Sequence, residues 1–228
     1  MTPDDRTSLD VLPLLAVDLE TTGLSVDRDR LLAVGWVPVD GTRIDLSGAR
    51  RYVVRRDDPG EAVVIHGLTH DDLRLGRPLG EVLAALKAAL SGRVLLAHYA
   101  PFELAFLDAA FRSVGEQPVR PPDVCTQDLQ RRLLARHGEV PDGALRLWNA
   151  RKRYGLPLTK AHDALGDALA CAELYLAQVA ELGASGPLSL RDVRRRGSWL
   201  HRLLAGLRRR RDEHHRDRWP AATLPPAP

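Results

Sequence analysis

Asp18 and Glu20 close an apolar run, Leu14-Leu15-Ala16-Val17, and are followed at once by Thr21-Thr22-Gly23-Leu24. On a strand, residues two apart share a face, so both carboxylates point the same way while Val17 and Leu19 point the other. Adjacent acids at the end of a buried strand repel each other and lose hydration. A hard divalent cation with oxygen ligands, Mg²⁺ or Mn²⁺, removes both penalties. Alone, the tripeptide is equally what a solvated strand face looks like. The Thr-Thr-Gly exit is a tight turn of small donors that a polar ligand can approach closely.

Two further acids lie on inward faces. Glu103 opens a helix in which Phe106, Leu107 and Ala110 follow at i+3, i+4 and i+7, so it sits on the apolar stripe. A favourable helix dipole explains an acid there without any ligand. Asp167 shares a face with Cys171 and Leu174, where an uncompensated carboxylate is costly. Asp163 fits the N-cap of that helix. His162 precedes Asp167 by five residues. Inside one helix the two would diverge by roughly 140°, so a shared site requires His162 on the preceding loop. Asp18, Glu20, Glu103, Asp167 and His162 then form a set. Two Mg²⁺ or Mn²⁺ ions neutralise four converging carboxylates, polarise a phosphodiester and activate water. A histidine near neutral pKa suits the proton transfer.

The elements that would position this set read as one α/β domain over residues 12–182, preceded by a polar extension, 1–11. Strands are expected at 14–20, 31–39 and 43–54, with Asp40-Gly41 as a hairpin turn. A helix over 78–90 carries Val82, Leu83, Leu86 and Leu90 at helical spacing and ends at Ser91-Gly92. A short buried strand follows at 94–97. Pro101 suits the first turn of a helix to about residue 114, and further helices are expected from 126, over 145–154 and over 163–182. Early antiparallel strands followed by alternating strand and helix imply a mixed sheet flanked by helices.

Composition is compatible with this plan. The chain has 228 residues, 44% hydrophobic and 28% charged, enough for one substantial core plus an extension. No apolar run is long enough for a membrane span, and residues 1–10 lack an apolar signal core. Cys125 and Cys171 make neither a disulfide framework nor a zinc set, and a cytoplasmic location is expected. Charge is uneven. Residues 191–218 hold eleven arginines against four acids, so the rest of the chain is net acidic. In the tail, 183–228, Trp199, Leu200, Leu203, Leu204 and Leu207 form an apolar stripe among arginines, followed by a Pro-rich end. Such a basic amphipathic segment packs on the body, binds phosphates, docks on a protein partner or lies on a membrane surface.

In order and spacing the motifs resemble those of the DnaQ-like 3′–5′ exonucleases, in the subgroup called DEDDh for its four acids and histidine. The resemblance covers about residues 12–182. It rests on Asp18-Leu19-Glu20-Thr21-Thr22-Gly23-Leu24, on Ile65-His66-Gly67-Leu68-Thr69, on His98-Tyr99-Ala100-Pro101-Phe102-Glu103 with Phe106-Leu107, and on His162-Asp163-Ala164-Leu165-Gly166-Asp167-Ala168. It implies a ribonuclease-H-like fold and release of nucleoside 5′-monophosphates from a 3′ end of DNA or RNA. It implies that Asp18 bridges two metals, that Glu20 and Asp167 complete the tighter site, that Glu103 holds the second metal through water, and that His162 is the general base. Thr21, Thr22 and Leu24 would meet the 3′-terminal nucleotide, and Phe102 would line its pocket. Tyr99 stands where the family pattern has Asn, and Glu103 where it has Asp. Glu keeps the charge and adds a methylene, which a water-mediated ligand tolerates. The alternatives are a polymerase-associated proofreading-type subunit, with the tail as its clasp, and a catalytically weak module that binds nucleic-acid ends.

Overall fold

The computed structural model describes residues 2–57, 67–157, 162–184 and 186–194. Ile65 and His66 of the second quoted segment lie outside these residues, as does the arginine-rich stretch with its apolar stripe. A mixed sheet of six strands forms the centre among the described residues. Its middle strand is β1 (Pro13–Thr21). On one side β1 pairs antiparallel with β2 (Leu31–Asp40), which in turn pairs antiparallel with β3 (Arg43–Ile44) and β4 (Arg50–Val53). On the other side β5 (Val94–Ala97) and β6 (Asp123–Cys125) run parallel to it. Seven described α-helices follow: α1 (His70–Arg74), α2 (Leu79–Leu90), α3 (Ala100–Ser113), α4 (Thr126–Leu134), α5 (Leu147–Arg153), α6 (Ala164–Gly183) and α7 (Leu190–Val193). This is the mixed, helix-flanked sheet that the motif order implies.

Alternation along β1 feeds two cores. Leu15, Val17 and Leu19 face one layer with Val82, Leu83 and Leu86 of α2 and Phe106 and Phe111 of α3. Leu14 and Ala16 face the other layer with Leu129 and Leu133 of α4 and Cys171 and Tyr175 of α6. Asp18 and Glu20 continue the second series. They leave the strand on the face that α6 covers. Residues at both ends of the described chain join this layer. Leu9, Leu190 and Val193 are buried in it, the Leu9 amide donates to the Leu188 carbonyl at 3.0 Å, and the Leu190 amide donates to the Thr7 carbonyl at 2.9 Å.

One expected strand differs. The run 43–54 breaks into β3 and β4, because Asp45 accepts from the Ser47 amide at 3.0 Å and starts a single 3-10 turn, Leu46–Gly48. A side chain that bonds its own backbone offers an alternative to the ladder. Three short elements, α1, β6 and α7, are additional. None exceeds five residues, too few for a hydrophobic period to register.

Gly35 lets the start of α6 approach the sheet closely. Asp18 of β1, Gly35 of β2 and Arg51 of β4 are register partners in one row across the sheet. Directly opposite residues share a face. A Cβ on Gly35 would collide with the carbonyl group of Ala164 and the amide of Leu165, backbone atoms at the start of α6. Gly35 thus leaves the gap in which the helix terminus rests against the sheet. Gly35→Ala is expected to lower unfolding stability by about 1–3 kcal/mol, the cost of forcing packed elements apart. Had the position been open, the same change would raise stability by up to about 1 kcal/mol. Chemical denaturation of the two proteins distinguishes the signs.

Candidate active site

The acids sit where β1 loses its regular pairing. Glu20 lies opposite Ala33, but Thr21 lies opposite Leu31, so the register slips between them. Such a bulge bends the strand end and re-aims its side chains. Asp18 is half-buried and Glu20 is buried. The turn beyond them is braced by Asp29. Its carboxylate accepts from the Thr22 hydroxyl at 3.0 Å and from the Ser25 amide at 2.7 Å. Thr22 Oγ1 also accepts from the Arg30 amide at 3.0 Å, and Thr21 Oγ1 donates to the Gly23 carbonyl at 2.6 Å. A Cβ on Gly23 would fall 2.6 Å from that carboxylate, so the turn needs glycine for space. Leu24 and Tyr99 pack against the first core, and Phe102 is buried in it with its ring 4.6 Å from that of Phe106. Of the residues expected to meet a nucleotide, Phe102 is thus the most enclosed by the core.

Opposite β1, the start of α6 supplies Asp167 and the turn before it supplies His162. Asp163 is the N-cap and accepts from the Gly166 amide at 2.9 Å. His162 has φ +63°, the one positive φ outside glycine among the described residues. Left-handed backbone at a non-glycine residue costs of order 1 kcal/mol or more and needs holding contacts. Asp167 provides one. Its Oδ2 accepts from the His162 amide at 3.1 Å. His162 therefore lies on the loop, as a shared site requires, and the acid that faces inward also fixes the histidine's backbone. Arg51 secures the cap from outside, with its Nε 3.0 Å from Asp163 Oδ1. Arg51 stands in the row of Asp18 and Gly35, so one line across the sheet locates the strand acid and the helix cap together.

Ligand atoms of Glu20, His162 and Asp167 lie within 4.8 Å of one another. Asp18 and Glu103 are outside that group but share its neighbourhood. Burial pushes the Cys171 thiol up from its usual range, and the charges of Cys125, Asp18 and Glu103 push it the same way. Cys171 is one turn beyond Asp167 on α6, so the charges of both acids are felt there. Glu103 is 3% exposed and Asp167 8%, each in the first turn of its helix, where the dipole favours negative charge. The dipole does not offset what remains. Two carboxylates within 4.8 Å of each other repel by about 3 kcal/mol or more at an effective dielectric of about 20. Buried oxygens of Asp18 (Oδ2), Glu20 (Oε1), Glu103 (Oε2) and Asp167 (Oδ1) accept no hydrogen bond from the described residues, although each side chain has other interactions. Carboxylate oxygens with one imidazole are the donor set of a divalent cation such as Mg²⁺ or Mn²⁺. The site fits that group.

Four residues that position the site have roles the motifs do not announce: Gly35, Asp29, His98 and Arg151. Gly35 carried a readable signal, a lone glycine inside an apolar strand. Asp29 carried none, since its partners are set by loop geometry. His98, quoted within a motif, works as a clamp. Its Nδ1 is 2.8 Å from Thr126 Oγ1 and its Nε2 is 2.8 Å from the Leu145 carbonyl oxygen, which ties the end of β5 to α4 and to the approach to α5. Arg151 of α5 is fully buried and adds a second tie. It donates to the carbonyls of Ala170 and Pro157, both at 2.7 Å, and pairs with Glu173.

Comparison with known proteins gives the family and agrees with the fold. The family model RNase_T, described as an exonuclease, matches residues 15–175. DNA polymerase III subunit epsilon of Treponema pallidum is 31% identical over 169 residues, covering 72% of this chain and 75% of that protein. The PolC-type DNA polymerase III of Staphylococcus saprophyticus is 30% identical over 182 residues, which are 77% of this chain but only 12% of that polymerase. Among solved structures, the nuclease domain of 3′hExo, a DEDDh family member bound to rAMP, superposes with a TM-score of 0.64 at 13% identity, covering 74% of this chain and 92% of that one. That likeness is one of fold. The match to the family model spans most of the chain and contains all four acids and the histidine, and the chain belongs to the RNase_T exonuclease family.

Proposed function

We propose that the chain is a 3′–5′ exonuclease that uses two divalent cations, Mg²⁺ or Mn²⁺, and releases nucleoside 5′-monophosphates. The carrying observation is the convergence of Glu20, His162 and Asp167 within 4.8 Å at the open end of β1. Asp18, Glu20, Glu103 and Asp167 would hold the cations. When bound, the cations stabilise charge on the phosphodiester and make a water acidic enough to attack near neutral pH. His162 would take the proton of the attacking water as the new bond to phosphorus forms. The P–O3′ bond breaks, the nucleotide leaves as a 5′-monophosphate, and the shortened strand regains a 3′-hydroxyl. The loop placement of His162 lets it share the site with Asp167, which a position five residues earlier in the same helix could not do. Thr21, Thr22 and Leu24 grip the terminal nucleotide, and Phe102 backs its pocket.

A second reading, a proofreading-type subunit of a polymerase, is favoured by the likeness to a polymerase III epsilon subunit. The two readings coexist, since such a subunit is itself a nuclease. The nuclease domain is taken as residues 12–182. None of the described helices is long and apolar enough to cross a membrane. Two buried free cysteines suit a reducing compartment, and we place the protein in the cytoplasm.

A 5′-labelled oligonucleotide incubated with Mg²⁺ or Mn²⁺ is expected to yield a ladder shortening from the 3′ end, and EDTA to abolish it. Asp18→Ala should lower the rate roughly a thousandfold, the equivalent of several kcal/mol of lost cation assistance. An EDTA-resistant ladder, or an unchanged Asp18→Ala rate, rejects the mechanism. Matched DNA and RNA strands report the sugar preference. For the tail we favour phosphate binding over partner docking. Removal of residues 195–228 spares the packed Val193. It should weaken nucleic-acid affinity and flatten its salt dependence. Unchanged affinity would turn the assignment toward a protein partner.

A further inference from the structure

Arg30 and Arg56 stand beside the turn that follows the catalytic acids, and their guanidinium groups bond only backbone carbonyls among the described residues. The Arg30 carbonyl accepts from the Thr22 amide at 2.9 Å, so Arg30 is fixed to the centre of that turn. Its guanidinium folds over the loop and donates to the carbonyl of Asp29 at 3.0 Å. Arg56, half-buried after β4, donates from Nε to the carbonyl of Leu31 at 3.4 Å, and its own amide donates to the Leu73 carbonyl at 3.2 Å. Leu31 is the register partner of Thr21. Both guanidinium groups are therefore tethered to carbonyls of residues 29 and 31, next to the strand end that carries Asp18 and Glu20.

The described neighbours do not compensate these charges. Neither arginine forms an ion pair with a described residue. Arg30 Nη1 also donates to the carbonyl, not the carboxylate, of Asp27 at 3.4 Å, and Asp29 already spends both carboxylate oxygens on Thr22 and Ser25. Burial, and then the charge of Arg30, hold the Arg56 pKa below its ordinary value, so the two cations repel. Fixed, repelling guanidinium groups with remaining N–H donors match a phosphate, which accepts from such forks in charge-assisted pairs.

We propose that Arg30 and Arg56 together bind a backbone phosphate of the substrate strand upstream of the scissile linkage. The inference rests on the exonuclease reading above and adds a strand-holding site to it. It gives the enzyme a contact that a longer strand makes and a mononucleotide cannot. Binding energy at such a remote contact favours a strand over a free nucleotide without touching the reacting bond.

The test compares two substrates on the double variant Arg30→Gln/Arg56→Gln with Mg²⁺ present. One is a single-stranded oligonucleotide. The other is the p-nitrophenyl ester of thymidine 5′-monophosphate, which has no upstream phosphate. The oligonucleotide KM is expected to rise roughly tenfold more than that of the ester, the size of a lost charge-assisted contact. The slope of log affinity for the oligonucleotide against log salt should fall by about 0.7, one phosphate contact on a single strand. Equal losses on both substrates would mean that the arginines hold the turn and not the strand, which overturns the proposal. So would an unaltered KM and salt slope. Failure of the unaltered enzyme to cleave either substrate would instead reject the exonuclease reading.

Discussion

Carboxylates gathered at the end of a buried strand repel each other, and the rest of the molecule is arranged around that cost. Asp18, Glu20, Glu103 and Asp167 come from three separate segments, and each would be better solvated alone. The surrounding structure outweighs the repulsion. β1 is buried on both faces over its first residues, so its end cannot drift to relieve the charges. Two of the acids sit in first turns, where helix dipoles offset part of their repulsion. On the function proposed above, what remains is a preorganised cation site. Strain of this kind persists only where the surrounding fold over-determines it.

The devices that impose the geometry are local and polar. Asp29 closes the turn after β1 with two hydrogen bonds, and Asp167 does the same for His162 through its backbone amide. The row Asp18, Gly35, Arg51 locates α6 from below, by an absent side chain, and from outside, by an ion pair to its cap. An exposed ion pair contributes little to stability. Its worth at Arg51 lies in direction, since it draws the N-terminus of α6 toward the edge strand. His98 and Arg151 act similarly on the far side, where they bind carbonyls of otherwise irregular segments.

Much of the fold was legible because hydrophobic period and punctuation agreed. The 94–97 strand, the helix that begins after Pro78 and the Asp163 cap follow from apolar spacing and cap chemistry. The acid set was legible because each member broke an apolar pattern at a place where a polar residue is costly. Other features left no such trace. α1 is one turn and a half, yet its capping box between Thr69 and Asp72 is a readable local mark. The split of the third strand turned on two hydrogen bonds from Ser47 to Asp45, which propensity does not resolve. Arg30, Arg51 and Arg56 look alike in sequence. Only tertiary placement separates an arginine that clamps a helix cap from a pair that faces a phosphate.

The most direct measurement of the cation site is the number of Mn²⁺ ions bound per chain, counted by titration without nucleic acid. Two ions are expected for the unaltered chain, with binding lost in Asp18→Ala. No bound ion, or binding that survives removal of Asp18, would contradict a site built on these carboxylates.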